Sequence, residues 1–170
     1  MMVSCFNVAA YNPQHVAVLK QNIAQDLPIN VSGCDFRGAG TALQGINLSN
    51  AQAGNANFDT CIKVTGLPFL TEILNQKTDL TNANFSNAIL RSASFNGAIL
   101  KGVSFSGADV TFANFSGADL TGADFTGAVG LPAAVFCSAT MPNGVSKCSG
   151  KSWTDVKTRQ VFLCGCSSQK

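Results

Sequence analysis

Seven cysteines, one histidine and nine acidic residues are the side chains of this 170-residue chain best equipped for chemistry. Their spacing argues against most of it. His15 has no second histidine and no nearby cysteine pair, so it completes neither a metal site nor a catalytic triad, and a solvated side chain is expected. Cys164-Gly-Cys166 places two thiols close together, but no CxxC pair or histidine accompanies them, which makes zinc a poor fit. Glu72 is the single glutamate, and no Gly-rich phosphate loop precedes a helix. Asp79, Asp109, Asp119 and Asp124 recur at regular intervals, a pattern better suited to hydrogen bonding at corners than to a paired-carboxylate mechanism. No enzymatic activity, metal or cofactor is expected.

The elements that would position these residues follow from a period of five. Between Thr78 and Val129 a large apolar residue recurs at Leu80, Phe85, Leu90, Phe95, Leu100, Phe105, Val110, Phe115, Leu120 and Phe125. A small residue, usually Ala, stands two places before most of them. On an α-helix, five residues advance about 500°, so successive marks rotate by about 140° and no face forms. On a flat strand, an odd spacing sends successive marks to opposite sides. All the marks face inward only if the chain bends once per repeat, which produces a solenoid with a dry core. Gly97, Gly102, Gly107, Gly117, Gly122 and Gly127 share one position of the repeat, with Asn82 and Asn87 in the same place, as a corner needing unusual φ requires.

These residues resemble the pentapeptide-repeat family, whose unit is Ala-(Asp/Asn)-(Leu/Phe)-X-X; TDLTNANFSN and SGADVTFANFSGADLTGADFTGA carry the likeness. The resemblance implies an all-β, right-handed quadrilateral β-helix with four repeats per coil. Less regular marks extend the core to Phe36, Leu43, Leu48 and Phe58. The step from Phe36 to Leu43 is seven rather than five, so two extra residues are expected in a bulge near residues 38–40. Ala53, a small residue at a mark, should leave the core locally thin.

Three segments are expected: an arm and capping helix at 1–26, the repeat β-helix at 27–130, and a C-terminal cap with a basic tail at 131–170. Asn12-Pro13 suits a helix start, and Val16, Leu19 and Ile23 share one face of a helix running to about Gln25. Its expected role is to cover the open end of the first coil. At residues 64–77 the repeat is interrupted by an insertion. Pro68 suits a helix start there, with Leu70, Ile73 and Leu74 on one face and Leu67 preceding them. The insertion either packs its apolar side on the coil wall or docks a partner, and Leu67, Phe69, Leu70 and Ile73 are the candidate contacts. Phe112 is a further candidate, standing where its neighbours have Gly, either exposed at a corner or covered by the tail.

The segment Phe136-Cys137 through Met141-Pro142-Asn143-Gly144 to Cys148 resembles the C-terminal cap of a cyanobacterial-type group in the family. That resemblance implies a Cys137–Cys148 disulfide; two reduced thiols are the alternative. Pro142-Asn143-Gly144 is a turn signal that would bring the two cysteines together. Cys34 and Cys61 fall at the small inward position and are expected to be buried thiols. Cys5 is available to Cys164 or Cys166 if the termini lie close. Trp153, Val156, Val161 and Phe162 suggest a tail folded back on the last coil.

Charged residues make up 12% of the chain and the formal net charge is +2, too small to imply a polyanionic partner. There is no basic stripe or recognition helix for nucleic acid. No stretch has the ~18–20 apolar residues needed to cross a membrane. Residues 1–10 lack the pattern of a signal peptide, so an exported form would have lost its signal before this sequence begins. A disulfide would favour a periplasm or thylakoid lumen over the cytoplasm. Two functions remain: a monomeric structural or interaction module for an unknown protein partner, or a DNA-mimic inhibitor of a type II topoisomerase. The second needs an acidic stripe, and here the Asp residues are set against Arg91 and Lys101.

Overall fold

Each repeat bends because the residue two places after a mark adopts positive φ. Asn82, Asn87, Ser92 and Phe112 do so at 56–60°, and the glycines from Gly97 to Gly127 at 64–71°. The amide three places after each mark then donates to the mark's own carbonyl, as from Ala83 to Leu80 and from Ala98 to Phe95. In this computed structural model the described residues are 13–26, 28–34, 36–37, 39–59, 61–65, 72–144, 148, 152–154 and 161–164.

Four turns close one coil. The parallel bridges fall into four columns: Asp79–Ile99–Asp119–Thr140, Asn84–Ser104–Asp124, Ile89–Asp109–Val129 and Ser94–Asn114–Val135. The chain is therefore a four-sided β-solenoid in which residues 20 apart stack. Departures from 20 are whole-residue insertions on one side. Asn30 bridges Gln52, two residues beyond the regular step, and the extra length is a 3₁₀ turn at Gly40–Leu43 rather than a bulge at 38–40. Asn114 bridges Val135 with one residue added, which a second 3₁₀ turn at Leu131–Ala133 absorbs.

The marks fill the interior. Phe36, Leu43, Leu48, Phe58 and every mark from Leu80 to Leu120 are 0% exposed, and Phe125 is 3% exposed. The phenylalanines form two columns. Phe36, Phe58, Phe95, Phe115 and Phe136 stack face to face, as do Phe85, Phe105 and Phe125, with centroids 4.8–5.5 Å apart. That spacing matches the separation of hydrogen-bonded strands, so ring stacking and backbone ladder reinforce one repeat distance. Between the columns the rings meet edge to face.

At the N-terminal end helix α1 (Pro13–Ala24) lays Val16 and Leu19 into the same core, with Ile23 partly buried beside it. The His15 side chain lies outside the described ones. At the other end, strands β3 (Ser152–Thr154) and β4 (Val161–Leu163) form an antiparallel pair. Phe162 of β4 is fully buried and meets Phe125 and Phe136 edge-on. Val161 is 45% exposed. Val156 falls outside the described residues, as does the Trp153 side chain.

Where it is described, the insertion is extended; Pro68 and Leu70, where a helix is expected, lie outside the described residues. Strands β1 (Cys61–Thr65) and β2 (Glu72–Gln76) pair antiparallel, Val64 opposite Ile73 and Lys63 opposite Leu74. At Ile73 and Leu74 the helix-compatible spacing gives way to pairing with β1, in which Ile62, Val64 and Thr65 are β-branched. Cys61 belongs to this hairpin and not to a repeat.

The disulfide also differs from the expected one. Cys148 bonds Cys164, not Cys137. The turn at Asn143-Gly144 does bring the chain back, and the Cys148 amide donates to the Ala139 carbonyl. But Cys148 points into the core at 1% exposure, whereas Cys137 follows the buried mark Phe136 and is only half-buried. Adjacent positions on extended chain face opposite ways, so Cys137 cannot share the inward side with Phe136. Cys137 is itself disulfide-bonded, and so is Cys34, which is 0% exposed and oxidised rather than a free buried thiol.

Candidate interaction surface

The outward residue just before each mark from Leu80 to Phe125 is Asp, Asn or Ser except at Ile89 and Ile99, and where it is Asp or Asn the reason is local. Its side-chain oxygen accepts the amide two residues on: Asp79 from Thr81, Asn84 from Ser86, Asp109 from Thr111, Asn114 from Ser116, Asp119 from Thr121 and Asp124 from Thr126. Where the second residue is Thr, its hydroxyl donates to the same carboxylate oxygen, at 2.6–2.7 Å. These Asx turns pre-form each corner. They also occupy the carboxylates that a paired-acid mechanism would need.

Cations one coil away pair with two of these carboxylates. Arg91 Nε donates to Asp109, and Lys101 Nζ lies 3.4 Å from Asp119. Partial burial raises the Asp109 carboxyl pKa, but hydrogen bonds from Thr111 and Arg91 outweigh it and hold the group below the usual carboxylate value. Asp119 behaves alike: burial opposes, Thr121 and Lys101 prevail, and its pKa is lowered. Among the described residues no group of His, Cys, Asp or Glu could hold a metal ion.

What breaks this wall is the β1–β2 hairpin. Asn47 bridges Asn84, Gln52 bridges Ile89 and Asn57 bridges Ser94, each a step of 37 residues. Subtracting the regular 20 leaves 17 residues, all added on one side without disturbing the other three. Two residues fasten the junction. Thr78 occupies the small inward position where other repeats have Ala. It is 0% exposed, and its hydroxyl lies 2.9 Å from the Asp59 carbonyl and 3.1 Å from that of Phe36. Asp59 accepts from the Ser94 hydroxyl and the Asn96 amide of the next coil. Sequence reading overlooked both. The signal was present: a Thr replacing Ala, and an Asp replacing the usual Ser or Thr two places after Asn57.

Of the candidate contact residues, Leu67, Phe69 and Leu70 lie outside the described residues. Ile73 is placed by its backbone, opposite Val64 in the ribbon. Phe112 is 69% exposed, which decides between the two readings of it. Ile89 and Val129, in one bridge column with Asp109 between them, are 45% and 55% exposed.

The family model for pentapeptide repeats matches residues 76–107 and 104–129, in eight copies. The chain carries pentapeptide repeats. Solved pentapeptide-repeat proteins are similar to it. HetL, involved in heterocyst differentiation regulation in the cyanobacterium Nostoc sp. strain PCC 7120, is 26% identical over 69% of this chain and 42% of its own, with a TM-score of 0.37. Rfr23 from the cyanobacterium Cyanothece 51142 is 22% identical over 74% of this chain and 88% of its own, at 0.29. QnrB1, a plasmid-mediated fluoroquinolone resistance protein, is 23% identical over 68% of this chain and 48% of its own, at 0.32. The pentapeptide-repeat chain thus covers 42% of the length of HetL and 48–55% of that of QnrB1. No curated protein sequence matches it. No helix among its described residues is long and apolar enough to cross a membrane.

Proposed function

We propose that this pentapeptide-repeat protein is a non-enzymatic interaction module, a rigid rod closed by α1 at one end and by the segment after residue 131 at the other. Its partner is a protein, engaged through the β1–β2 hairpin. The observation that carries the reading is the hairpin's placement: 17 residues leave and rejoin one side of an otherwise continuous ladder, and the junction is fastened by Thr78 and Asp59. Loops on a rigid scaffold are well suited to binding because the scaffold removes part of the ordering cost. By the pleat of the ribbon, Ile62, Val64 and Ile73 fall on one face. Leu67, Phe69 and Leu70 lie in the connecting sequence.

The DNA-mimic reading is less favoured. An acidic stripe spaced like phosphates is interrupted where Arg91 pairs with Asp109 and Lys101 with Asp119. Inhibition of supercoiling by a purified type II topoisomerase would restore it. The Cys148–Cys164 disulfide, with Cys34 and Cys137 also oxidised, supports an oxidising compartment such as a periplasm or thylakoid lumen.

The hairpin reading is tested by Phe69→Ser with Leu70→Ser, measured for melting temperature and for partner capture from native extract. Unchanged melting with lost capture is expected. A lowered melting temperature shows instead that the segment packs on the wall, and unaltered capture removes the hairpin from the interface.

A further inference from the structure

The rung at Asn47 has an open edge. At two other rungs of the same coil, those of Gln52 and Asn57, the backbone is bonded in both directions. Gln52 donates its amide to Ile29 and accepts at its carbonyl from Val31, while the next coil bonds the flanking residues, through Ala53 to Ile89 and Ile89 to Ala51. Asn57 is likewise bonded to Cys34 and Phe36. At Asn47 only the far side is complete: Asn84 donates to the Ile46 carbonyl and Leu48 to that of Asn84. Among the described residues nothing pairs with the Asn47 amide or carbonyl. The Ser49 carbonyl, equivalent to the Gly54 carbonyl that accepts from Gly33, also accepts from no described residue.

The cause is the route of the chain. A regular preceding coil would lay extended backbone beside Asn47, but there the chain is leaving α1 through a turn with Asp26 at a φ of 53°. A cleft of about 550 Å³ is left, lined among others by Ile23, Asp26, Pro28, Ile29, Asn47 and Gln52. One backbone donor and two acceptors in line are the complement of an extended polypeptide, which adds to a sheet edge through its main chain. Ile23, Pro28 and Ile29 give an aliphatic wall, and Asp26 is an exposed carboxylate at the end of α1.

We propose that this cleft binds an extended segment of a partner protein, which adds one parallel rung beside Asn47. An aliphatic side chain of that segment lies against Ile23, Pro28 and Ile29, and a basic one faces Asp26. The site is separate from the hairpin and does not depend on its role.

The probe is a displayed library of linear peptides selected on the full chain. Recovered peptides should combine β-branched or aliphatic residues with a Lys or Arg. Asn47→Pro removes an amide that no described residue accepts from, and should weaken binding about tenfold, the scale of one lost backbone hydrogen bond. Asn47→Ala loses the side-chain cap on Ser49 but keeps the amide, and should retain binding. Asp26→Arg should lose the basic peptides while leaving the backbone rung intact, and serves alone if the proline variant does not fold. No recovered peptide, binding unaffected by both Asn47→Pro and Asp26→Arg, or concentration-dependent self-association that masks the cleft would each overturn the proposal. Recovered sequences matching this chain's own would also overturn it, by making the occupant a segment of the same protein.

Discussion

Excising residues 60–76 should leave the solenoid folded, and more stable if it changes at all. Phe58 and Leu80 are marks 22 residues apart; removing the 17 inserted residues leaves five, the regular step. The excision is made together with Lys77→Gly, because the residue two places after a mark takes positive φ. The junction of Asp59 to residues 77–80 then places Thr78 at the small position and Asp79 at the corner-capping one. The ends are already adjacent, since the Thr78 hydroxyl lies 2.9 Å from the Asp59 carbonyl. Closing a 17-residue loop costs about 2.5 kcal/mol by the logarithmic chain-entropy relation. An isolated two-stranded hairpin is at best marginally stable and recovers little of that. The expected change therefore lies between none and a gain of about 2.5 kcal/mol, at most several degrees in melting temperature for a chain of this size. Parent and excised chain should both be measured under reducing conditions, so that removing Cys61 has no bearing on disulfide pairing. Thermal denaturation by circular dichroism is the assay. A loss of more than about 1 kcal/mol would falsify the additive-insertion picture and show that the hairpin supports the wall.

Other outcomes follow from the same geometry. Gly102→Ala should destabilise by about 1–2 kcal/mol in urea unfolding, because φ is +64° and the new Cβ would meet Asn82 Oδ1 at 2.6 Å. Phe105→Ala removes the ring between Phe85 and Phe125 and should cost about 3–5 kcal/mol. Cys164→Ser opens a disulfide spanning 16 residues and should cost about 3 kcal/mol, read by the same unfolding assay. The lowered carboxyl pKa values of Asp109 and Asp119 mean that their contribution is present above the unfolded carboxylate pKa of about 3.9. It is lost as pH falls through the lower folded values. Melting temperature should therefore fall more steeply with acid in the parent than in Asp109→Asn with Asp119→Asn.

The repeat was legible because its marks obey one physical demand, burial once per bend, and nothing long-range competes with that between Leu80 and Phe125. Two extra residues could be counted before Leu43, and an insertion was readable at 64–77, but the ladder is what shows 17 added residues there, and the conformation of neither was readable. At residues 61–76 helix-like spacing and β-branched content disagreed, and pairing between Val64 and Ile73 prevailed. The cysteines were harder still. The turn at Asn143 was readable, yet which sulfur pairs with Cys148 depends on β4 returning so that Phe162 covers Phe125 and Phe136. That return leaves no periodic trace. Phe112 was conspicuous as a departure, and its exposure required the corner to be seen in three dimensions.

The 37-residue steps have a consequence for how such a chain can diversify. Because Asn47, Gln52 and Asn57 all find partners displaced by the same increment, an excursion at one corner changes numbering without changing neighbours. Length at that corner is mechanically decoupled from the rest of the rod. A lineage could lengthen, shorten or replace the excursion in single genetic events and leave every other coil in place. Such a corner would be free to change at a pace that the interior, tied to its ring columns, could not follow.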